Sequence, residues 1–150
     1  MKAISIRNPY AHLIMCGEKE YEFRSWKTDY RGDLLICSSA SPKIVNTISG
    51  HALCVVRLND VIEMTTENCR EYGLGYNDLV GGKLYAWQLT DLRIIKLFPV
   101  KGKLNFYYVD DELIEIVDNG DDSLTEEEAL EMYKAYIEPL LYKGKIKNKS

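Results

Sequence analysis

Residues 17–39 read GEKEYEFRSWKTDYRGDLLICSS. Within this stretch Lys19 to Trp26 alternates as a strand does. On an extended backbone Glu20, Glu22, Arg24 and Trp26 share one face, and Tyr21 and Phe23 point to the other. A carboxylate, a guanidinium and an indole then line one surface. Tyr30-Arg31-Gly32-Asp33 follows as a turn, and Leu34-Leu35-Ile36-Cys37 predicts a buried strand running from Asp33 to Ser38.

On the N-terminal side of this stretch, Lys2 to Ile6 alternates as a first strand. Asn8-Pro9 then predicts a helix N-cap and the proline favoured at the first helical position. The helix, Pro9 to Cys16, stops at Gly17, a typical left-handed C-cap residue. Asn8 joins the candidate binding residues because a helix N-terminus can receive an anion.

On the C-terminal side, Ser41-Pro42 opens a loop or helical turn through Asn46, and Ala52 to Met64 predicts a long strand. Thr65 to Tyr72 reads as a single helical turn with Thr66 as its cap. Gly73 to Gly82 reads as a mobile loop. Its end, Gly81-Gly82-Lys83, is not a phosphate-binding loop: Asn77 occupies the required glycine position and Leu84 replaces the serine or threonine that would hold magnesium. Tyr85 to Leu97 is the longest strand pattern, with Tyr85, Trp87, Leu89 and Ile95 on one face. Asp91 and Arg93 interrupt that face, which predicts a bend or bulge near residue 91. Pro99 to Lys103 turns the chain, and Leu104 to Val109 predicts a further strand.

Five or more mainly antiparallel strands with only short helices between them predict an α+β fold. Its centre is a small closed or nearly closed β-barrel, because closure removes exposed edges. Thr125 with Glu128 forms a capping box after the loop Asp118 to Asp122. Leu130, Tyr133, Ile137, Leu140 and Leu141 then recur at helical spacing, so residues 124–142 predict an acidic amphipathic helix docked on the barrel. Pro139 disturbs its last turn. Residues 1–142 are expected to form one domain, and 143–150 a basic, flexible tail.

Charge is divided along the chain. Residues 1–110 carry 14 Lys and Arg against 12 Asp and Glu, residues 111–142 carry 1 against 11, and residues 143–150 carry 4 against 0. The overall net charge of -4 therefore comes from one late segment, and it says little against a nucleic-acid partner for the body of the protein. Cys16, Cys37, Cys54 and Cys69 are irregularly spaced with no CxxC pair, so they read as small buried residues in a reducing compartment, without a metal. The N-terminal stretch reads as neither a signal peptide nor a membrane span, and a cytoplasmic location is expected. His12 and His51 show no catalytic pattern.

The pattern Gly17-x-Lys19-x-x-Glu22-x-Arg24-Ser25-Trp26-x-Thr28-x-x-Arg31-Gly32-x-Leu34-x-Ile36, preceded by Asn8-Pro9-Tyr10-Ala11, resembles the ASCH domain, the activating signal cointegrator homology family. The likeness continues through Gly82-x-x-Tyr85-Ala86-Trp87 and Pro99-Val100-Lys101-Gly102. It implies a PUA-like β-barrel in which the GxKxxExR strand borders a cleft for nucleic acid or a modified nucleoside, placing Lys19, Glu22 and Arg24 there. On this resemblance Trp26 stacks on a base, and Arg31, Ser38 and Ser39 hold phosphate or sugar.

Some family members are enzymes. In the small amidohydrolases that deacetylate acetylated cytidine, the motif lysine works with a threonine three residues later and a downstream glutamate. Lys19 matches that lysine, Glu22 stands at the threonine position, and Glu71 lies in the stretch of the third residue. Other members are described as ribonucleases, for which Lys19 would be the electrostatic stabiliser and Glu22 the base.

The leading expectation is a domain that binds RNA or a nucleotide-like ligand, with a role in RNA metabolism or transcription regulation and no metal or organic cofactor. A hydrolase using the same cleft is the second. A protein-interaction module acting through the acidic helix from Glu126 to Glu138 and the basic tail is the third. The bland alternative is a solvated strand face on which Glu22 and Arg24 form a weak surface ion pair.

Overall fold

The computed structural model describes residues 1–120 and 124–145. Asp121 and Asp122 of the expected loop, and the basic tail from residue 146, lie outside the described residues. One mixed sheet of seven strands dominates. The strands are β1 (Lys2–Ile6), β2 (Tyr21–Arg24), β3 (Gly32–Ser38), β4 (His51–Glu63), β5 (Tyr85–Pro99), β6 (Tyr107–Tyr108) and β7 (Ile116–Asp118). Their order is β2-β5-β4-β3-β1-β6, with β7 added to β5. Every pairing is antiparallel except that of β1 with β3, which are joined through helix α1 (Tyr10–Met15) and β2.

The apolar run of β3 explains why both faces of the sheet are buried. Leu34 and Ile36 point to the interior with Ile4, Ile6, Leu53, Val56, Leu58 and Trp87, where α1 adds Ala11, Ile14 and Met15. Leu35 and Cys37 point the other way, to a second cluster with Ala3, Ala52, Val55, Ile95 and Tyr107. A strand covered on both faces reads as continuous apolar sequence, as this one does.

The β4–β5 hairpin carries the curvature. Its register shifts in three places, and one shift falls at Asp91, whose φ is 55°. Bulges bend the strand and increase its twist, so the sheet coils. The expected bulge is therefore present, but the extra residue also inverts the alternation beyond it. Tyr85, Trp87 and Leu89 face the interior whereas Ile95 belongs to the opposite cluster, contrary to the expected shared face. Arg93 fixes the bulge: Nε donates to Asp91 O at 3.0 Å and Nη2 to Asp33 Oδ1 at 2.7 Å. That second bond, together with the guanidinium charge, holds the Asp33 carboxyl below its ordinary range.

The coil stops short of a closed ladder. β6 pairs with β1 only at Lys2 and Ala3, so Ser5 and Ile6 have no ladder partner on that side among the described residues. Side chains bridge the seam to β2 instead. Arg24 Nη2 donates to Ser5 O at 3.0 Å, and Phe106 packs against Trp26 and Trp87 with ring centres 5.3 and 5.6 Å away.

Several local expectations are corrected. The strand expected from Leu104 to Val109 shrinks to Tyr107–Tyr108, because Leu104 is 91% exposed and has no apolar surface to cover. The helical turn before Tyr72 is a 3-10 turn, Cys69–Tyr72, and is opened by reciprocal bonds between Thr65 and Asn68 rather than by Thr66. The glycine-rich loop contains a second 3-10 turn, Tyr76–Leu79, where Asp78 accepts from the Gly75 N–H. Asn8 lies one residue outside the cap position of α1, yet its Oδ1 accepts from the His12 N–H at 3.2 Å.

The C-terminal segment opens with helix α2 (Glu126–Met132), and Thr125 and Glu128 form the expected capping box. The segment continues as a π-helical turn, Tyr133–Ile137, and a 3-10 turn, Glu138–Leu140. Ile137 enters the interior core and Leu141 packs beside it. Tyr142 then exchanges backbone bonds with Asn46 and Thr47 at 2.7 and 2.9 Å. The docked face is narrower than expected, since Leu130, Tyr133 and Leu140 remain exposed. No helix among the described residues is long and apolar enough to cross a membrane.

Candidate functional site

The seam between β1 and β2 opens into a cleft of about 1170 Å³. That exceeds the ~300–1,000 Å³ common for small-molecule pockets. β1 contributes Ser5 and Ile6 and is followed by Arg7; β2 contributes Glu22, Phe23 and Arg24; Trp26 and Ser39 stand at the sides. The third wall is the loop from Val100 to Asn105. Gly102 allows this loop to come close, since a Cβ there would lie 2.7 Å from Ser5 Oγ. Ser5 cannot readily turn away, because its hydroxyl is bonded to Tyr107 Oη at 2.7 Å. The close approach brings Lys101 and Lys103 to the cleft, so among the described residues its lining holds four cations, Arg7, Arg24, Lys101 and Lys103, against one carboxylate, Glu22.

Glu22 is paired with Trp87 across the β2–β5 ladder, which aims its side chain at the barrel interior. It is only 8% exposed. Oε1 accepts the Phe23 N–H at 3.0 Å, while Oε2 has no partner among the described residues. Burial pushes the carboxyl pKa up, and the charges of Arg24 and Lys19 and the Phe23 bond oppose that shift. Beside it, the Arg24 Nε is likewise buried and unpartnered. A buried carboxylate without a full set of partners is costly. The floor of the cleft is thus polar and incompletely satisfied.

The remaining sequence-derived candidates divide between the cleft and the scaffold. Lys19 does not line the cleft; it borders a second, smaller crevice beside Gly17 and Asp91. Its backbone N–H donates to Leu13 O at 3.2 Å in the C-cap of α1. Its Nζ lies 5.4 Å from the ring centre of Tyr10 and 4.9 Å from that of Phe23. Partial burial lowers the Lys19 pKa and Glu22 opposes the shift. Trp26 lines the cleft but packs edge-on against Trp87 at 4.7 Å, and its carbonyl accepts from Trp87 Nε1. Ser39 is in the lining.

Asn8, Arg31 and Ser38 lie outside the lining. Asn8 is buried and donates to Ile48 O at 2.8 Å, tying α1 to the loop before β4. Arg31 donates to the carbonyls of Thr28 and Tyr30 and faces Asp60 at 3.6 Å. Ser38 is buried and bonded to the His51 backbone. Glu71, on the 3-10 turn Cys69–Tyr72, is exposed and does not line the cleft.

Sequence reasoning missed Arg7, Tyr10, Lys101 and Lys103 as cleft residues. The signal for the two lysines was present: they flank a glycine in a turn, a pattern that lets backbone approach closely while presenting charge. Nothing local assigned that turn to β1, because the partners are about a hundred residues apart in the chain.

Comparison with known proteins agrees with this architecture. The model of the ASCH domain matches residues 4–143. The crystal structure of ASCH from Zymomonas mobilis superposes with a TM-score of 0.58 at 16% identity, covering 74% of this chain and 88% of that one. A tyrosine-to-phenylalanine mutant of the Zymomonas mobilis protein gives 0.57 at 16% identity, over 74% of this chain and 91% of that one. A serine-to-alanine mutant gives 0.56 at 15%, over 89% and 94%. At this identity the likeness concerns the fold. No curated protein matches the chain. With the family match spanning nearly the whole sequence, the chain belongs to the ASCH domain family.

Proposed function

We propose that the seam cleft binds RNA or a nucleotide-like ligand. The observation that carries this reading is the combination of four cations around a buried glutamate whose Oε2 has no partner. Cations alone suit phosphate, and a phosphate would be repelled by Glu22. A nucleotide offers both kinds of partner: phosphate for Lys101, Lys103 and Arg7, and a base edge with an N–H donor for the glutamate. The size of the cleft favours a segment of chain over a free nucleoside.

Fluorescence anisotropy with short single-stranded RNA at a series of salt concentrations tests the reading. Binding is expected to weaken with salt, and the slope of log affinity against log salt should fall by about 1 for each of Lys101→Gln and Lys103→Gln. Glu22→Gln should alter the preference among bases. Salt-independent binding, or an unchanged slope in both lysine variants, contradicts the proposal.

A hydrolase at the same cleft is the second reading, favoured by one observation. Burial raises the Glu22 pKa and lowers that of Lys19, which makes the carboxylate a stronger proton acceptor and the ammonium a readier donor. In this reading the ionised Glu22 takes the proton of an attacking hydroxyl, and the charge of Lys19, outside the cleft lining, favours that ionised form. Running the recovered RNA on a denaturing gel separates the two readings. Shortened RNA that is lost in Glu22→Gln supports hydrolysis, and intact RNA retires it.

A further inference from the structure

We infer that Tyr10 and Phe23 form a stacking wall for one unpaired base, and that Lys19 braces this wall from behind without contacting phosphate. This rests on the proposal that the cleft binds RNA, and refines it by naming the base subsite. Stacking needs an aromatic ring with an open face. Trp26, the obvious candidate from sequence, is committed elsewhere: its ring meets Trp87 and Phe106 edge-on at 4.7 and 5.3 Å. Tyr10 is 51% exposed and lines the cleft together with Phe23.

The two rings are held in place by their surroundings. Tyr10 begins α1, whose buried Ala11, Ile14 and Met15 fix the helix against the core and leave Tyr10 pointing outward. Phe23 sits on the edge strand β2 opposite Ala86. Lys19 leaves the C-cap of the same helix, and its ammonium reaches both rings, at 5.4 and 4.9 Å from their centres. Those distances are within the ~6 Å range of a cation–π contact. Lys19 lines the neighbouring crevice and not the cleft, and is therefore assigned to the side of the rings away from the ligand, which leaves their other faces to a base. One charged residue thereby joins the helix, the edge strand and the stacking surface, and it is a positioning residue.

Glu22 precedes Phe23 on the same strand and also lines the cleft. Alternation turns the two side chains to opposite faces of β2, so the base stacked on Phe23 and the base whose edge Glu22 reads are separate positions along the RNA, with the phosphates leading toward Lys101 and Lys103.

The test compares an 8-nucleotide single-stranded RNA with the same RNA carrying one abasic site, scanned along its length, by anisotropy at several salt concentrations. Wild type should lose about tenfold or more in affinity at one abasic position, the loss expected of a stacked base. Tyr10→Leu and Phe23→Leu should bind intact and abasic RNA alike, and Phe23→Tyr should keep the wild-type preference. Lys19→Gln should leave the salt slope unchanged, in contrast to the drop of about 1 expected for Lys101→Gln. Should Phe23→Leu not fold, the exposed Tyr10→Leu carries the comparison. An abasic preference retained in Tyr10→Leu, or a salt slope lowered in Lys19→Gln, overturns the inference while leaving RNA binding intact. Failure of wild type to bind either RNA at any salt overturns the binding proposal, and this inference with it.

Discussion

Glu22 keeps a carboxyl group inside a barrel wall where, among the described residues, only the Phe23 N–H offers it a hydrogen bond. The shift in its pKa is upward, so the folded state binds its proton more tightly than the unfolded chain does. Such a group contributes stability below its unfolded pKa and loses that contribution as pH rises through its folded pKa. At neutral pH it therefore opposes folding. Glu22→Gln removes the charge and keeps an oxygen for Phe23. Its thermal midpoint at pH 7 should rise by about 2–4 °C, the equivalent of ~1 kcal/mol in a domain of this size. The gain should disappear as pH falls below about 4.5, the ordinary range of the free carboxyl. Thermal melts of the two proteins across that range check this. A Gln variant less stable at pH 7 than at pH 4, relative to wild type, would mean that Arg24 and Lys19 already neutralise the cost. Glu22 was legible in the sequence through alternation, which put it on one face with Arg24, and through the motif that resembles the ASCH domain. Its burial was not, because that depends on Trp87, which belongs to a strand more than sixty residues later.

The C-terminal segment shows how an element can be right in kind and wrong in extent. The capping box identified its start, and helical spacing identified Ile137 and Leu141 as the docked residues. The same spacing also nominated Leu130, Tyr133 and Leu140, which stay exposed because the helix changes to a π turn and then to a 3-10 turn that contains Pro139. Each change of winding rotates the face. Ile137→Ala should lower stability by about 2–5 kcal/mol as a core truncation, and Leu130→Ala, at a site 52% exposed, by less than ~0.5 kcal/mol. Urea unfolding distinguishes them, and equal losses would mean that α2 docks through its whole apolar stripe. Strands were legible where two-residue alternation ran without interruption, as in β1 and the first half of β5, and where a continuous apolar run marked a strand buried on both faces, as in β3. The signal failed beyond Asp91, where one extra residue inverted it. It also failed at Leu104, which is part of a loop held by Gly102 against Ser5 and not part of the sheet.

Across the whole molecule, charge and topology combine at the seam. The body of the chain is nearly balanced, with no polybasic run to read from sequence. Coiling of the sheet nevertheless assembles Arg7, Arg24, Lys101 and Lys103 around one opening, from β1, β2 and the loop after β5. The acidic segment supplies the negative net charge and docks through Ile137 and Leu141 on the interior core and through Tyr142 on Asn46 and Thr47. A local field of one sign raises ligand concentration at its own cleft whatever the net charge of the chain. The incomplete barrel is thus central to the account: closing the ladder between β1 and β2 would remove the cleft. The most direct measurement is titration of ¹⁵N-labelled protein with a short single-stranded RNA, following backbone amide shifts residue by residue. Shifts concentrated at Ser5 to Arg7, Glu22 to Arg24 and Lys101 to Asn105 are the result this account requires. Shifts confined to α2 or to the Arg31 turn, or none at saturating RNA, would contradict it.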